Sequence, residues 1–188
     1  MSYDVYCYRP SSASPNLAEA ESIVGKITEA EESGGTKDSG SQVRESIAAA
    51  LLSHNPRLER FRFDYDEIAS SLKIPEPEAR LRFQQAELTP PEGDLAIQLT
   101  VHNDHVFITI PYWYTGSRAD EVFEQLAAYL RVIRSTAGFF VYDPQTSSAF
   151  DPAHSERVDH SEYDRVAKDL PNIAAAATKP SKPWWRFW

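Results

Sequence analysis

The most constraining feature of this sequence is an alternation of apolar and polar residues on both sides of a two-residue turn. The apolar positions before and after Asn103-Asp104 are Leu95, Ile97, Leu99, Val101, Val106, Ile108 and Ile110. Period-2 alternation is typical of half-buried strands, and Asn and Asp tolerate the backbone of a tight turn. Counting outward from the turn pairs Leu99 with Ile108, which puts the aliphatic side chains on one face, whereas a one-residue slip scatters them. The pattern predicts a hairpin with one face in the core.

A helix and a short strand follow this hairpin. Ser117, with Asp120 three residues later, resembles a capping box, and apolar residues then recur at helical spacing until Gly138 provides a stop. The aromatic and β-branched run 139–142 lies between this Gly and Pro144. Such a run predicts a buried strand.

Local patterns predict the remaining elements. They are a strand over Tyr3–Tyr8, a helix with Ser14 as its N-cap and Pro15 as its first residue, a helix from about Gln42 to Asn55, a short helix from about Asp64 to Leu72 followed by a turn, a strand over Phe83–Thr89, and a last helix over Ser161–Leu170. Residues 65–83 superficially resemble a DNA-binding helix-turn-helix. We reject that interpretation because Glu76 and Glu78 stand where contacts to phosphate would be needed.

These elements predict an α+β fold in two layers. The sheet is expected to be mainly antiparallel with about five strands, and the helices are expected to pack on one of its faces. The order of the elements is reminiscent of a ferredoxin-like β-α-β-β-α-β plan with insertions.

Length and charge predict one domain with a distinct tail. We expect one domain over residues 1–178, with a core of about 1–152, and a basic aromatic tail over 179–188. The net charge is −9, and the tail holds three basic residues and no acid, which leaves −12 on residues 1–178. Such an acidic body repels nucleic acid.

The sequence also bears on location. No apolar run approaches the roughly 18 residues of a membrane span. Met1 leads directly into strand-like residues, so a cytoplasmic location is expected.

No pattern of residues predicts a cofactor, metal or catalytic site. His102 and His105 face each other across the hairpin, but zinc catalysis needs three protein ligands, so we interpret them as exposed residues at the hairpin tip. Asp143 precedes a proline where a strand ends, and a single carboxylate without a paired acid, base or nucleophile defines no reaction. The single Cys7 is interpreted as a small buried hydrophobe. A small hydrolase or metal-dependent enzyme that uses His102 and His105, or Asp143, remains the alternative.

Three short motifs resemble those of a group of small bacterial proteins whose function is not assigned. The motifs are the strand that begins Ser2-Tyr3-Asp4-Val5-Tyr6, the segment Pro111-Tyr112-Trp113, and Tyr142-Asp143-Pro144-Gln145 after a helix. The resemblance covers about residues 1–152. The last motif also resembles one in small proteins thought to act as bacterial toxin-immunity partners. This resemblance implies a stoichiometric binder and brings no catalytic residues with it; Tyr112, Trp113, Asp143 and Gln145 form the corresponding candidate functional surface.

The tail is the second candidate binding region. Its aromatic residues are Trp184, Trp185, Phe187 and Trp188, which include three of the four tryptophans of the chain. Because buried aromatic side chains dominate interface energetics, we expect them to contact protein, in the same chain or in a second copy, in preference to a membrane surface. The sequence therefore predicts a non-enzymatic cytoplasmic protein-interaction protein, immunity-like, with a protein partner or self-association.

Overall fold

One antiparallel sheet organises the computed structural model, which describes residues 2–32, 41–155 and 158–176. Its strands are β1 (Ser2–Tyr8), β2 (Glu59–Arg60), β3 (Ala86–Thr89), β4 (Gln98–Val101), β5 (His105–Pro111), β6 (Phe140–Asp143) and β7 (Ser148–Phe150). They lie in the order β2-β3-β4-β5-β1-β6-β7, and every neighbouring pair is antiparallel. The predicted α+β class is confirmed.

Six helices accompany the sheet in the described part of the chain. They are α1 (Leu17–Glu32), α2 (Gln42–His54), α3 (Tyr65–Leu72), α4 (Glu76–Arg82), α5 (Ser117–Ala137) and α6 (Ser161–Ala176). None of the helices in the described residues is long and apolar enough to cross a membrane.

The predicted hairpin register is confirmed. Leu99 lies opposite Ile108, and Val101 lies opposite Val106. All four side chains are fully buried in the core. Alternation fixed this register because any slip would expose these aliphatic groups to water.

The helix after the hairpin begins one residue earlier than the sequence suggested. Ser117 is the first helical residue and Gly116, with a φ of 58°, takes the N-cap position without a side-chain cap. The cap assignment to Ser117 is therefore wrong, because the chain enters the helix through a positive φ that glycine adopts easily. The stop at Gly138 is confirmed, since this residue has a left-handed φ of 75°.

Helices cover both faces of the sheet, which corrects the prediction of helices on one face. Helices α2 and α5 pack on each other over the face that carries Val5 and Leu99. Helix α1 contacts β1, β6 and β7, where Tyr8 and Phe140 form a second buried cluster with Ala20. Successive strand residues point to opposite faces, so the apolar residues on both faces of this edge require a second cover.

In the described residues the sheet has seven strands rather than about five. The additions are the edge strands β2 and β7, of two and three residues. Strands of this length are too short to show an alternation of apolar and polar residues.

Helix α4 was predicted as a turn, although Pro75 at its N-cap and acidic residues in its first turn favour a helix start. The ferredoxin-like order remains a prediction.

Candidate functional site

Asp143 and Gln145, two residues of the predicted functional surface, lie in a partly buried turn at the end of β6. Asp143 is only 2% exposed. One of its carboxylate oxygens accepts a short hydrogen bond from the Tyr3 hydroxyl, and the other accepts the backbone N–H of Gln145 at 2.9 Å and that of Thr146 at 3.3 Å. Burial, with this carboxylate as the second cause, raises the pKa of Tyr3 well above its usual value. These bonds fix the turn and engage both oxygens of the carboxylate.

Tyr112 and Trp113 point in different directions. Tyr112 is buried and stacks on Tyr163 of α6 with ring centroids 4.9 Å apart. The Tyr163 hydroxyl donates to the carbonyl of Pro111 at 2.7 Å, which ties α6 to the end of β5. Trp113 is 59% exposed. Of the four predicted surface residues, Trp113 alone is more than half exposed.

The candidate metal residues do not form one site with Asp143. The rings of His102 and His105 stack with centroids 4.1 Å apart, and Nδ1 of His105 lies 2.8 Å from a carboxylate oxygen of Asp104. His105 pairs with Tyr8 at one end of β1, whereas Asp143 bonds Tyr3 near the other end. Among the described residues, no group of three or more potential metal ligands is found.

The interpretation of both histidines as exposed is wrong, because His105 is only 4% exposed and His102 is half-buried. His105 is buried because it is the first residue of β5 and pairs with Tyr8, a member of the cluster that α1 covers. The tail residues Trp184, Trp185, Phe187 and Trp188 lie outside the described residues.

A two-helix insertion between β2 and β3 carries three of the five large apolar side chains that are exposed in the described part of the chain. They are Phe61 at 57%, Leu72 at 49% and Leu81 at 61%. Helix α3 packs mainly on α4, and α4 packs mainly on α3. Neither helix makes an extensive contact with another described helix or strand. We call residues 61–85 the helical insertion.

Aromatic contacts fix the base of the helical insertion. Phe63 lies at 5.2 Å from Phe61 and at 6.0 Å from both Tyr65 and Phe83, measured between ring centroids. The Tyr65 hydroxyl donates to the carbonyl of Phe83 at 3.1 Å, which joins the start of the insertion to its end. At the N-terminus of α3, the Asp64 carboxylate accepts two backbone N–H groups as a cap.

A cavity of about 780 Å³ lies where this insertion meets the body. Four arginines from three parts of the chain line it, namely Arg44 of α2, Arg60 and Arg62 around the end of β2, and Arg80 of α4. Glu59 is the single acidic residue in its lining, which also includes Phe61, Phe63, Tyr65, Gln84 and Gln85. We call this cavity the arginine pocket.

Carboxylates outside the lining orient three of the guanidinium groups. Glu45 receives two N–H groups of Arg60 at 2.6 and 2.8 Å, and the Nε of Arg44 lies 3.3 Å from it. The Arg60 hydrogen bonds lower the pKa of Glu45, so this carboxylate stays ionised. Arg80 bonds Glu76 and places its guanidinium 4.4 Å from the centre of the Tyr65 ring.

Arg62 differs from the other three arginines. Its side chain is exposed and makes no ion pair or hydrogen bond with the part of the chain that the structure describes. It is therefore the guanidinium most available to an incoming anion.

Sequence reasoning missed the arginine pocket. The available signal was the alternation Arg60-Phe61-Arg62-Phe63, in which two arginines share one side of an extended segment. Arg44 and Arg80 lie sixteen residues before Arg60 and eighteen after Arg62, so only the fold brings them to the same place.

Comparisons with known proteins add no relative. No protein-family model, no curated protein and no solved structure matches this chain.

Proposed function

We propose that this protein is a non-enzymatic, cytoplasmic protein-interaction protein, an immunity-like binder that holds one protein partner in a stoichiometric complex. The helical insertion is the proposed binding surface. The observation that carries this proposal is the concentration of exposed Phe61, Leu72 and Leu81 on one small insertion.

Isolated exposed apolar residues are ordinary on protein surfaces, whereas their grouping marks interaction sites. Here the insertion holds 25 of the residues in the chain, and three of the five exposed large apolar side chains that the structure describes. Folding of the body does not require them, because the main core is formed by the sheet with α2, α5 and α6. Exposed apolar groups that contribute nothing to the core are well suited to a partner.

The arrangement of polar groups supports a binder over a catalyst. The carboxylate of Asp143 is engaged in a turn, and the two stacked histidines lie at the opposite end of β1. Catalysis by acid, base or nucleophile requires such groups to converge on one reacting atom. A surface for binding requires only shape, apolar area and complementary charge.

Comparison of two surface variants tests the proposal. One variant carries Phe61→Ser, Leu72→Ser and Leu81→Ser in the insertion. The matched control carries Leu17→Ser and Trp113→Ser, which removes the other two exposed large apolar side chains of the described residues. Each is tagged, expressed in the cells that produce the protein, and purified with whatever binds it.

We expect a protein that copurifies at about one copy per chain with the wild type and with the control, and that is lost from the insertion variant. Retention of the same protein by the insertion variant would refute the assignment of the surface. Loss with the control variant instead would move the site to Trp113 or to Leu17, and the absence of any stoichiometric protein would refute the function.

A further inference from the structure

The arginine pocket has the character of an anion-binding site in an otherwise acidic protein. Four arginines and one glutamate line it, whereas the whole chain carries a net charge of −9. Charges interact strongly only within about a Debye length, roughly 8 Å at physiological salt. The field in the pocket is therefore set mainly by these nearby guanidinium groups and their partners.

We infer that the arginine pocket binds carboxylate side chains of the protein partner, so that the partner presents an acidic segment to the insertion. This inference rests on the proposed function and names the chemistry that its surface recognises. Carboxylate and guanidinium groups match in geometry, because the planar guanidinium offers parallel N–H donors to both carboxylate oxygens.

Arg60 and Arg62 retain the donors that such a contact needs. Arg60 gives one N–H from each of its two terminal nitrogens to Glu45, out of the five donors of a guanidinium. Arg62 gives none to the described residues. The internal carboxylates Glu45 and Glu76 hold Arg60 and Arg80 in place, and this fixed arrangement lowers the conformational entropy lost on binding.

Aromatic walls strengthen such a contact. Phe61 and Phe63 line the pocket beside the arginines, and a partner that covers the half-exposed Phe61 excludes water from the guanidinium groups. Desolvated charge pairs contribute more to binding than pairs at an exposed rim. The apolar surface and the charged pocket therefore reinforce each other.

The open form of the pocket favours a protein segment over an enclosed small molecule. The Arg60 side chain is 42% exposed, that of Arg80 is 59% exposed, and Phe61 is 57% exposed. Small-molecule sites commonly bury about 70 to 90% of their ligand, which an open rim of this kind does not do alone. Nucleic acid is the less suitable polyanion, because its long charged backbone would extend over the acidic body.

The test measures binding of a fluorescent peptide of alternating glutamate and glycine by anisotropy at low salt, with the full chain. Arg62→Gln removes a guanidinium that makes no ion pair or hydrogen bond with the described residues, so the fold is expected to be unaffected. Arg131→Gln is the matched control, because Arg131 is an exposed arginine of α5 outside the pocket. Competitors are the same peptide with glutamine for glutamate, inorganic phosphate, and a single-stranded oligonucleotide.

We expect saturable binding that Arg62→Gln weakens about tenfold, the loss expected for one charge-assisted hydrogen bond, while Arg131→Gln leaves the Kd unchanged. Absence of saturable binding, an unchanged Kd in Arg62→Gln, or equal competition by the glutamine peptide would overturn the inference. Displacement by phosphate or the oligonucleotide at lower concentration than the unlabelled glutamate peptide would also overturn it, and would assign the pocket to phosphate groups.

Failure of this inference is distinguishable from failure of the proposed function. If the glutamate peptide does not bind while the partner is still lost from the insertion variant, the insertion is the binding surface and the pocket does not recognise carboxylates. If the partner survives the insertion variant, the proposed surface itself is wrong.

Discussion

Replacement of Leu99 by alanine tests the register of the central hairpin. Leu99 is fully buried and pairs with Ile108 across β4 and β5. The substitution deletes three carbon atoms, and at about 0.8 kcal/mol for each buried methylene the transfer term alone is about 2.4 kcal/mol. A residual cavity adds to this, because the neighbouring strands relax only in part. We therefore expect a loss of about 2 to 5 kcal/mol in the free energy of unfolding.

Leu81→Ala is the matched control, since it makes the same chemical change at a side chain that is 61% exposed on α4. We expect it to change the free energy of unfolding by less than about 0.5 kcal/mol, as surface substitutions do. Denaturant titration with a common m-value measures both variants. A loss below about 0.5 kcal/mol in Leu99→Ala, or equal losses in the two variants, would contradict the assignment of Leu99 to the core.

Three further predictions concern buried polar bonds and the tail. Tyr3→Phe removes the hydroxyl that donates to buried Asp143 and should cost about 1 to 3 kcal/mol in a denaturant titration; a neutral variant would show that this bond does not stabilise the turn. Asp151→Asn breaks the two-bond pair with Arg134, at 2.8 and 2.9 Å, and should cost about 1 to 2 kcal/mol at pH 7. Because Arg134 lowers the pKa of Asp151 in the folded state, this contribution is present above the ordinary pKa, near 4, and is lost as the pH falls through the lowered value; a stability difference from wild type that does not decrease as the pH is lowered below about 4 would contradict this cause. Deletion of residues 179–188 should change the melting temperature or the mass in solution, and the tail tryptophans should emit at shorter wavelength in the intact protein than in a free tail peptide; no change in all three would refute contact of the tail with this protein.

The parts of the fold that the sequence predicted are those in which apolar residues recur at a regular spacing over many positions. Seven alternating apolar positions defined the central hairpin, and the helical repeat with Gly138 as stop defined α5. Such patterns are informative because a shift in register exposes many groups at once. Strand β2 spans only Glu59–Arg60, which is too short for any period to be visible.

Local sequence patterns could not predict the arginine pocket, for a different reason. Arg44 and Arg80 reach the same pocket only because α2 packs beside β3 and because α4 folds back along α3. Neither contact follows from the spacing of residues along the chain. The exposure of Leu72 and Leu81 is also a tertiary property, since apolar residues at helical spacing predict a buried face as readily as a surface for a partner.

The charge distribution of the molecule favours specific binding of one acidic segment over nonspecific attraction of anions. An acidic body repels negatively charged molecules at long range, which lowers nonspecific association. A segment that reaches the arginine pocket must therefore make contacts close enough to offset that repulsion, through Arg62 and the exposed Phe61 together. Partners that carry acidic residues without a matching apolar surface are repelled by the acidic body, and apolar partners without acidic residues offer no carboxylate to Arg62. Specificity then follows from the requirement for both features in one segment.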